Sequence, residues 1–175
     1  MKLINLNILE DGSTGLSPRN GAFLGEAASV CLKHNGHPVN ISMPSEGHFQ
    51  ETYDLTCYEV GEDAVGSFAD MQETTEYGAC GIALAIIATE LSLQAERSWK
   101  GTGFDYWLGK RDEGLPFENS ARLEVSGIIS GTEEQAAQRL RQKLDQTKVS
   151  DADPYLSAYA IIVEFSNPRT LTGIR

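Results

Sequence analysis

Two short segments of this sequence carry carboxylates in positions that could do chemistry together. In FDYWLGK, residues 104–110, strand alternation places Asp105 and Trp107 on one face and Phe104, Tyr106 and Leu108 on the other. In ARLEVSG, residues 121–127, it sets Arg122, Glu124 and Ser126 against Leu123 and Val125. If the two strands pair in register, Asp105 and Glu124 converge on one edge of a sheet. Carboxylates held that close repel each other unless a cation lies between them. Hard oxygen donors of this kind suit Mg²⁺ or Mn²⁺, and either ion can organise a water for attack on a phosphodiester. Metal-assisted attack of water on a phosphodiester is the chemistry such a pair could support.

The elements that would position these residues are readable along the chain. KLINLNIL at 2–9 reads as a strand, and Asn20 caps a helix running to His34 that Gly36 closes. HPVNISM and ETYDLTCYEV read as strands joined by a turn-rich segment, whereas GEDAVGSFADMQETT is ambiguous. EYGACGIALAIIATELSLQA, residues 76–95, is apolar almost all round, which predicts a buried central helix. ERSWK and FDYWLGK follow as strands around a Gly101-Thr102-Gly103 turn, then a KRDEGLPFENS loop, then the strand ARLEVSGII. Thr132 and Gln135 form a capping-box pattern at the head of another helix, and YLSAYAIIVEF reads as a strand covered on both faces. The expected fold is α/β, a mixed sheet flanked by helices. Residues 76–175 form its core, and residues 1–75 an acidic α/β extension.

The order helix, strand, strand, strand, helix, strand, with Asp105 on one strand and Glu124-Val125-Ser126 on the next, resembles the PD-(D/E)XK nuclease-like superfamily over about residues 76–166. The resemblance implies a restriction-endonuclease-like core in which the aspartate and the glutamate, here Asp105 and Glu124, hold the metal. A glutamate on the preceding helix is often a further ligand in that family, which implies Glu90, with Glu76 as the alternative. The family's lysine, two residues after the glutamate, helps activate water. Ser126 stands at that position and has no charge to offer. Some members carry the lysine on the following helix, which implies Lys143 as the substitute, with Arg139 one turn before it and Gln142 a weaker choice. Glu90 is also unusual on its own terms, since an unpaired carboxylate in so apolar a helix is costly. A neighbouring basic partner would explain it equally well.

Charge and composition limit the alternatives. The net charge is −11, and all of it lies in residues 1–96, which hold 14 acids and 3 bases; residues 97–175 hold 11 of each. An acidic chain is a poor non-specific nucleic-acid binder, so any such contact must be local to the neutral half. The longest apolar run, GIALAIIA, is too short to span a bilayer, no signal-peptide pattern opens the chain, and three unpatterned cysteines fit no disulfide framework. A cytoplasmic protein with no membrane partner is expected. Cys31, His34, His37, His48 and Cys57 have zinc-ligand chemistry but match no zinc module, and no orienting signature surrounds a Cys–His nucleophile pair. Trp99, Tyr106, Trp107 and Phe117 could stack on bases if exposed, although core packing accounts for them as well. Two other functions compete with catalysis. One is a non-catalytic subunit or adaptor on the same fold. The other is a small acidic inhibitor or immunity-type protein whose amino-terminal half engages a basic partner.

Overall fold

The computed structural model describes residues 1–111, 118–150 and 156–175. Its strands are β1 (Lys2–Asn5), β2 (Asn40–Gly47), β3 (Glu51–Thr56), β4 (Gln94–Arg97), β5 (Tyr106–Lys110), β6 (Glu118–Ile128), β7 (Ser157–Glu164) and β8 (Arg169–Ile174). Its helices are α1 (Pro18–His34), α2 (Glu62–Ser67), α3 (Met71–Leu91) and α4 (Glu133–Gln146). The strands form one mixed sheet in the order β1-β3-β2-β8-β7-β6-β5-β4. The expected mixed sheet flanked by helices is what the chain forms, and helix, strand, strand, strand, helix, strand is the order from α3 to β7.

The central helix begins earlier than its apolar run. Asp70 accepts from the backbone N–H groups of Gln72 and Glu73, and this cap starts α3 at Met71. It stops at Leu91, where Ser92 turns left-handed at φ 53°. Small residues let α1 and α3 approach closely: a β-carbon at Gly81 would lie 2.8 Å from the Leu24 carbonyl oxygen, and one at Gly78 2.9 Å from the Ala28 α-carbon. Any larger side chain at either glycine would push the two helices apart. Packed in this way against α1, α3 lies over β6 and β7.

Residues 2–9 form less strand than their alternation suggests. The Asn5 side chain accepts from the Asn7 N–H and starts a 3-10 turn over Leu6–Leu9, which buries Leu6 and Leu9 instead of extending the ladder. The second helix of the core behaves as its capping box predicts, with Thr132 and Gln135 bonded reciprocally. It crosses from β6 to a parallel β7 and packs on β7 and β8. Along β6, Leu123 and Val125 join the core shared with α3, and a β-carbon at Gly127 would meet Thr75 of α3. Arg122, Glu124 and Ser126 alternate with these residues and take partners from α4 and the segment just after it. The sheet therefore has a helix on each side of β6, and α4 brings its bases to the glutamate's face.

Candidate active site

Asp105 and Glu124 meet as the register requires. Tyr106 pairs with Leu123 and Trp107 with Arg122, so Asp105, just ahead of β5, stands beside Glu124. The Asp105 N–H donates to the Leu123 carbonyl at 2.9 Å, and its Oδ2 accepts from the Val125 N–H at 2.9 Å. The side chain thus continues the ladder where the β5 backbone leaves it. Its Oδ1 lies 3.3 Å from an Arg97 guanidinium nitrogen, and that guanidinium also sits 4.8 Å over the Tyr106 ring.

Glu124 is 2 % exposed. Its Oε1 accepts from the Lys143 ammonium at 2.5 Å and from the Gln146 amide at 3.0 Å, both on α4. Burial, above all, lifts the Glu124 carboxyl to about 7; the adjoining Asp105 adds to the rise by charge and by a hydrogen bond, and Lys143 pulls against it. Glu164 is also fully buried but has a structural role: it accepts the Ser166 and Asn167 N–H groups in the turn between β7 and β8.

The structure brings Ser126 and Lys143 to this place too. Arg139 donates to the Ser126 hydroxyl at 3.0 Å, one turn of α4 before Lys143. Asp105, Ser126, Arg139 and Lys143 line a cavity of about 430 Å³ that Glu76 and Arg97 also line. Of the two glutamates considered for a further ligand, Glu76 reaches this cavity and Glu90 does not. Glu90 lies near the other end of α3, where its carboxylate takes Lys2 at 2.6 Å and the Tyr53 hydroxyl at 3.0 Å. That basic partner is what makes its place in an apolar helix tolerable. Gln142 lines a different surface depression, and Gln146, one turn on, is the amide that reaches Glu124.

Among the described residues no group of three or more His, Cys, Asp or Glu side chains could hold a metal ion. Asp105 and Glu124 are a pair rather than a cage. The histidine and cysteine set is dispersed: Cys31 and Cys57 are buried and free, His37 bonds the Ser166 carbonyl, and His48 packs on the rings of Phe49 and Tyr159. Of the aromatics considered for stacking, Trp99 is 71 % exposed, Tyr106 is buried at the cavity wall, and Trp107 packs edge-on to Phe104. Phe117 lies outside the described residues. Arg97 is a site residue that the sequence does not single out. Its only local signal is its place directly after the acidic half, and only the β4–β5 hairpin brings it to Asp105.

Among the described residues no helix is long and apolar enough to cross a membrane. Compared with known proteins, the chain matches no family model, no curated protein and no solved structure.

Proposed function

We propose that this chain is a PD-(D/E)XK-like protein that cleaves a phosphodiester bond of DNA or RNA. In this reading Asp105 and Glu124 hold Mg²⁺ or Mn²⁺, and Lys143 does the work of the lysine missing at Ser126. One observation carries the reading: Lys143 reaches from α4 to within 2.5 Å of Glu124, on the strand where the lysine would otherwise stand. The donor set fits such an ion, because Mg²⁺ is commonly held by one or two carboxylates with water and phosphate oxygens completing its shell. Glu124 is buried beside Asp105, so a cation between them would offset both charges. A bound divalent ion would neutralise the two carboxylates and polarise a phosphoryl oxygen.

The chain's own residues have separable parts in this. Asp105 is fixed by Val125 and Arg97, so its carboxylate is oriented before anything binds. Lys143 covers Glu124 Oε1, and with a cation held by the two carboxylates its ammonium would be available to a water or a phosphate oxygen in the cavity. Arg139, anchored on Ser126, adds a fixed positive charge beside it. Free, buried thiols at Cys31, Cys57 and Cys80 suit a reducing, cytoplasmic setting.

A second reading, a non-catalytic subunit or adaptor on the same fold, is favoured by a different observation. Both Asp105 oxygens and Glu124 Oε1 are already engaged by protein groups. The acidic residues 1–96 would then meet a basic partner protein. Mn²⁺ titration calorimetry on wild type, Asp105→Ala and Glu124→Ala, with cleavage assays on DNA and RNA for Lys143→Ala, separates the two. The phosphodiesterase reading expects binding that either acid's removal abolishes, and cleavage that Lys143→Ala removes. Mn²⁺ failing to bind wild type would sink it, and binding without cleavage of either polymer would favour the second.

A further inference from the structure

The cavity beside Asp105 has an aromatic wall that the acid pair does not use. Phe23 on α1 and Tyr77 on α3 both line it, with ring centroids 4.9 Å apart in an edge-on arrangement. Phe68 supports Phe23 from 5.2 Å, and the Tyr77 hydroxyl is held by Glu73 at 2.9 Å. Phe23 nevertheless keeps 41 % of its surface exposed. Asn20, one turn earlier on α1, lines the same cavity.

Charged side chains form another part of the lining. Arg97, Arg139 and Lys143 supply positive charge, against Glu76 and Asp105. Arg97 offsets Asp105 and Lys143 offsets Glu124, while Arg139 has no carboxylate partner among the described residues and is held by the Ser126 hydroxyl. Single-strand recognition combines positive charge for the phosphates with aromatic rings on which bases stack. In this cavity Arg139 supplies a charge that no carboxylate among the described residues offsets, and Phe23 supplies a partly exposed ring. A base paired inside a duplex cannot reach a recessed ring without being pulled from its stack. A cavity of about 430 Å³ lies in the range of small-ligand sites.

We propose that this cavity takes an unpaired nucleotide of single-stranded DNA or RNA, its base against Phe23 and Tyr77 and its phosphate beside Arg97, Arg139 and Lys143. The inference rests on reading the cavity as a phosphodiester site and names the substrate that site prefers. It also gives the amino-terminal segment a task, because α1 supplies Phe23 to a site whose basic side chains come from β4 and α4.

Fluorescence anisotropy with short labelled strands in EDTA tests it, using DNA and RNA single strands, the matching duplexes, and a strand carrying abasic sites. Wild type is expected to bind the single strands at least about tenfold tighter than the duplexes and to lose that margin on the abasic strand, as base stacking dictates. Phe23→Ala should weaken single-strand binding roughly 5- to 150-fold, the range measured for losing one stacked base. Phe23→Leu keeps apolar packing on Phe68 and should weaken it too, which guards against a folding defect. A tighter DNA or RNA single strand identifies the polymer. Equal affinity for single strand and duplex, wild-type binding by Phe23→Leu, or no binding by wild type would each overturn the inference. Mn²⁺ binding and cleavage are read separately: a protein that binds Mn²⁺ and cuts duplex as readily as single strand loses this inference and keeps the phosphodiesterase reading. Single-strand binding through Phe23 without Mn²⁺ binding has the reverse meaning.

Discussion

Replacing Glu124 by glutamine tests the electrostatics of the site without emptying it. Burial and Asp105 push the Glu124 carboxyl up from an ordinary 4.5 to about 7, against the pull of Lys143. A carboxyl that holds its proton more tightly when folded makes the folded state lose stability as pH rises from its unfolded value through its folded one. Below both values the proton is bound in either state, and no penalty applies. At about 1.4 kcal/mol per pH unit, most of the loss falls between pH 5 and pH 8 and amounts to about 2–3 kcal/mol. Glutamine keeps the shape, can still accept from Lys143 and Gln146, and can donate to Asp105, but it does not ionise. Urea unfolding of wild type and Glu124→Gln across this range should therefore diverge, with the variant gaining about 2–3 kcal/mol on wild type by pH 8. Their difference cancels the titration of distant groups. Parallel curves, or wild type gaining on the variant as pH rises, would refute the reasoning: Lys143 would then outweigh burial and Asp105.

Three other perturbations probe features around the site. Glu90→Gln removes the partner of Lys2 at the far end of α3, and it should cost at most about 1 kcal/mol while leaving Mn²⁺ affinity measured by calorimetry unchanged. Gly81→Ala would gain helix propensity on most helices. Here its β-carbon meets the Leu24 carbonyl at 2.8 Å, so urea unfolding should show a loss of about 1–3 kcal/mol. Burial raises the Cys31, Cys57 and Cys80 thiols to about 12, so none should react with a thiol reagent at pH 8 in the folded protein, and all three should react in denaturant.

Local signals made much of this architecture legible. The Thr132–Gln135 box, the apolar run of α3 and the IIV core of β7 each declare their element within a few residues. Strand alternation puts Asp105 and Glu124 on matching faces, and the β5–β6 register, which the sequence leaves open, brings them together. What stayed hidden depends on distant parts of the chain. β8 is short and carries Arg169, two threonines and Gly173, so its strand character comes from pairing with β7 and β2 rather than from its own composition. Lys143 is, in sequence, only one of several candidate bases, because the crossover of α4 decides which of them faces Glu124. Phe23 and Tyr77 sit within helical segments whose apolar residues read as packing. Nothing near either in the sequence indicates that α1 and α3 leave one edge of that aromatic cluster open toward Asp105.

The position of β8 has a consequence for how the chain assembles. This strand follows all the others in chain order, yet it lies between β2 and β7 and supplies the ladder that joins β1-β3-β2 to the remaining strands. Its Thr172 hydroxyl bonds the Glu46 carbonyl across 126 residues of sequence, a closure of the kind that makes folding slow. Until it docks, β2 and the almost wholly buried β7 are both open edges, ready to pair with another chain. Arg169–Ile174 therefore acts as an internal edge guard, and substitutions that delay its docking should be felt first as aggregation during folding.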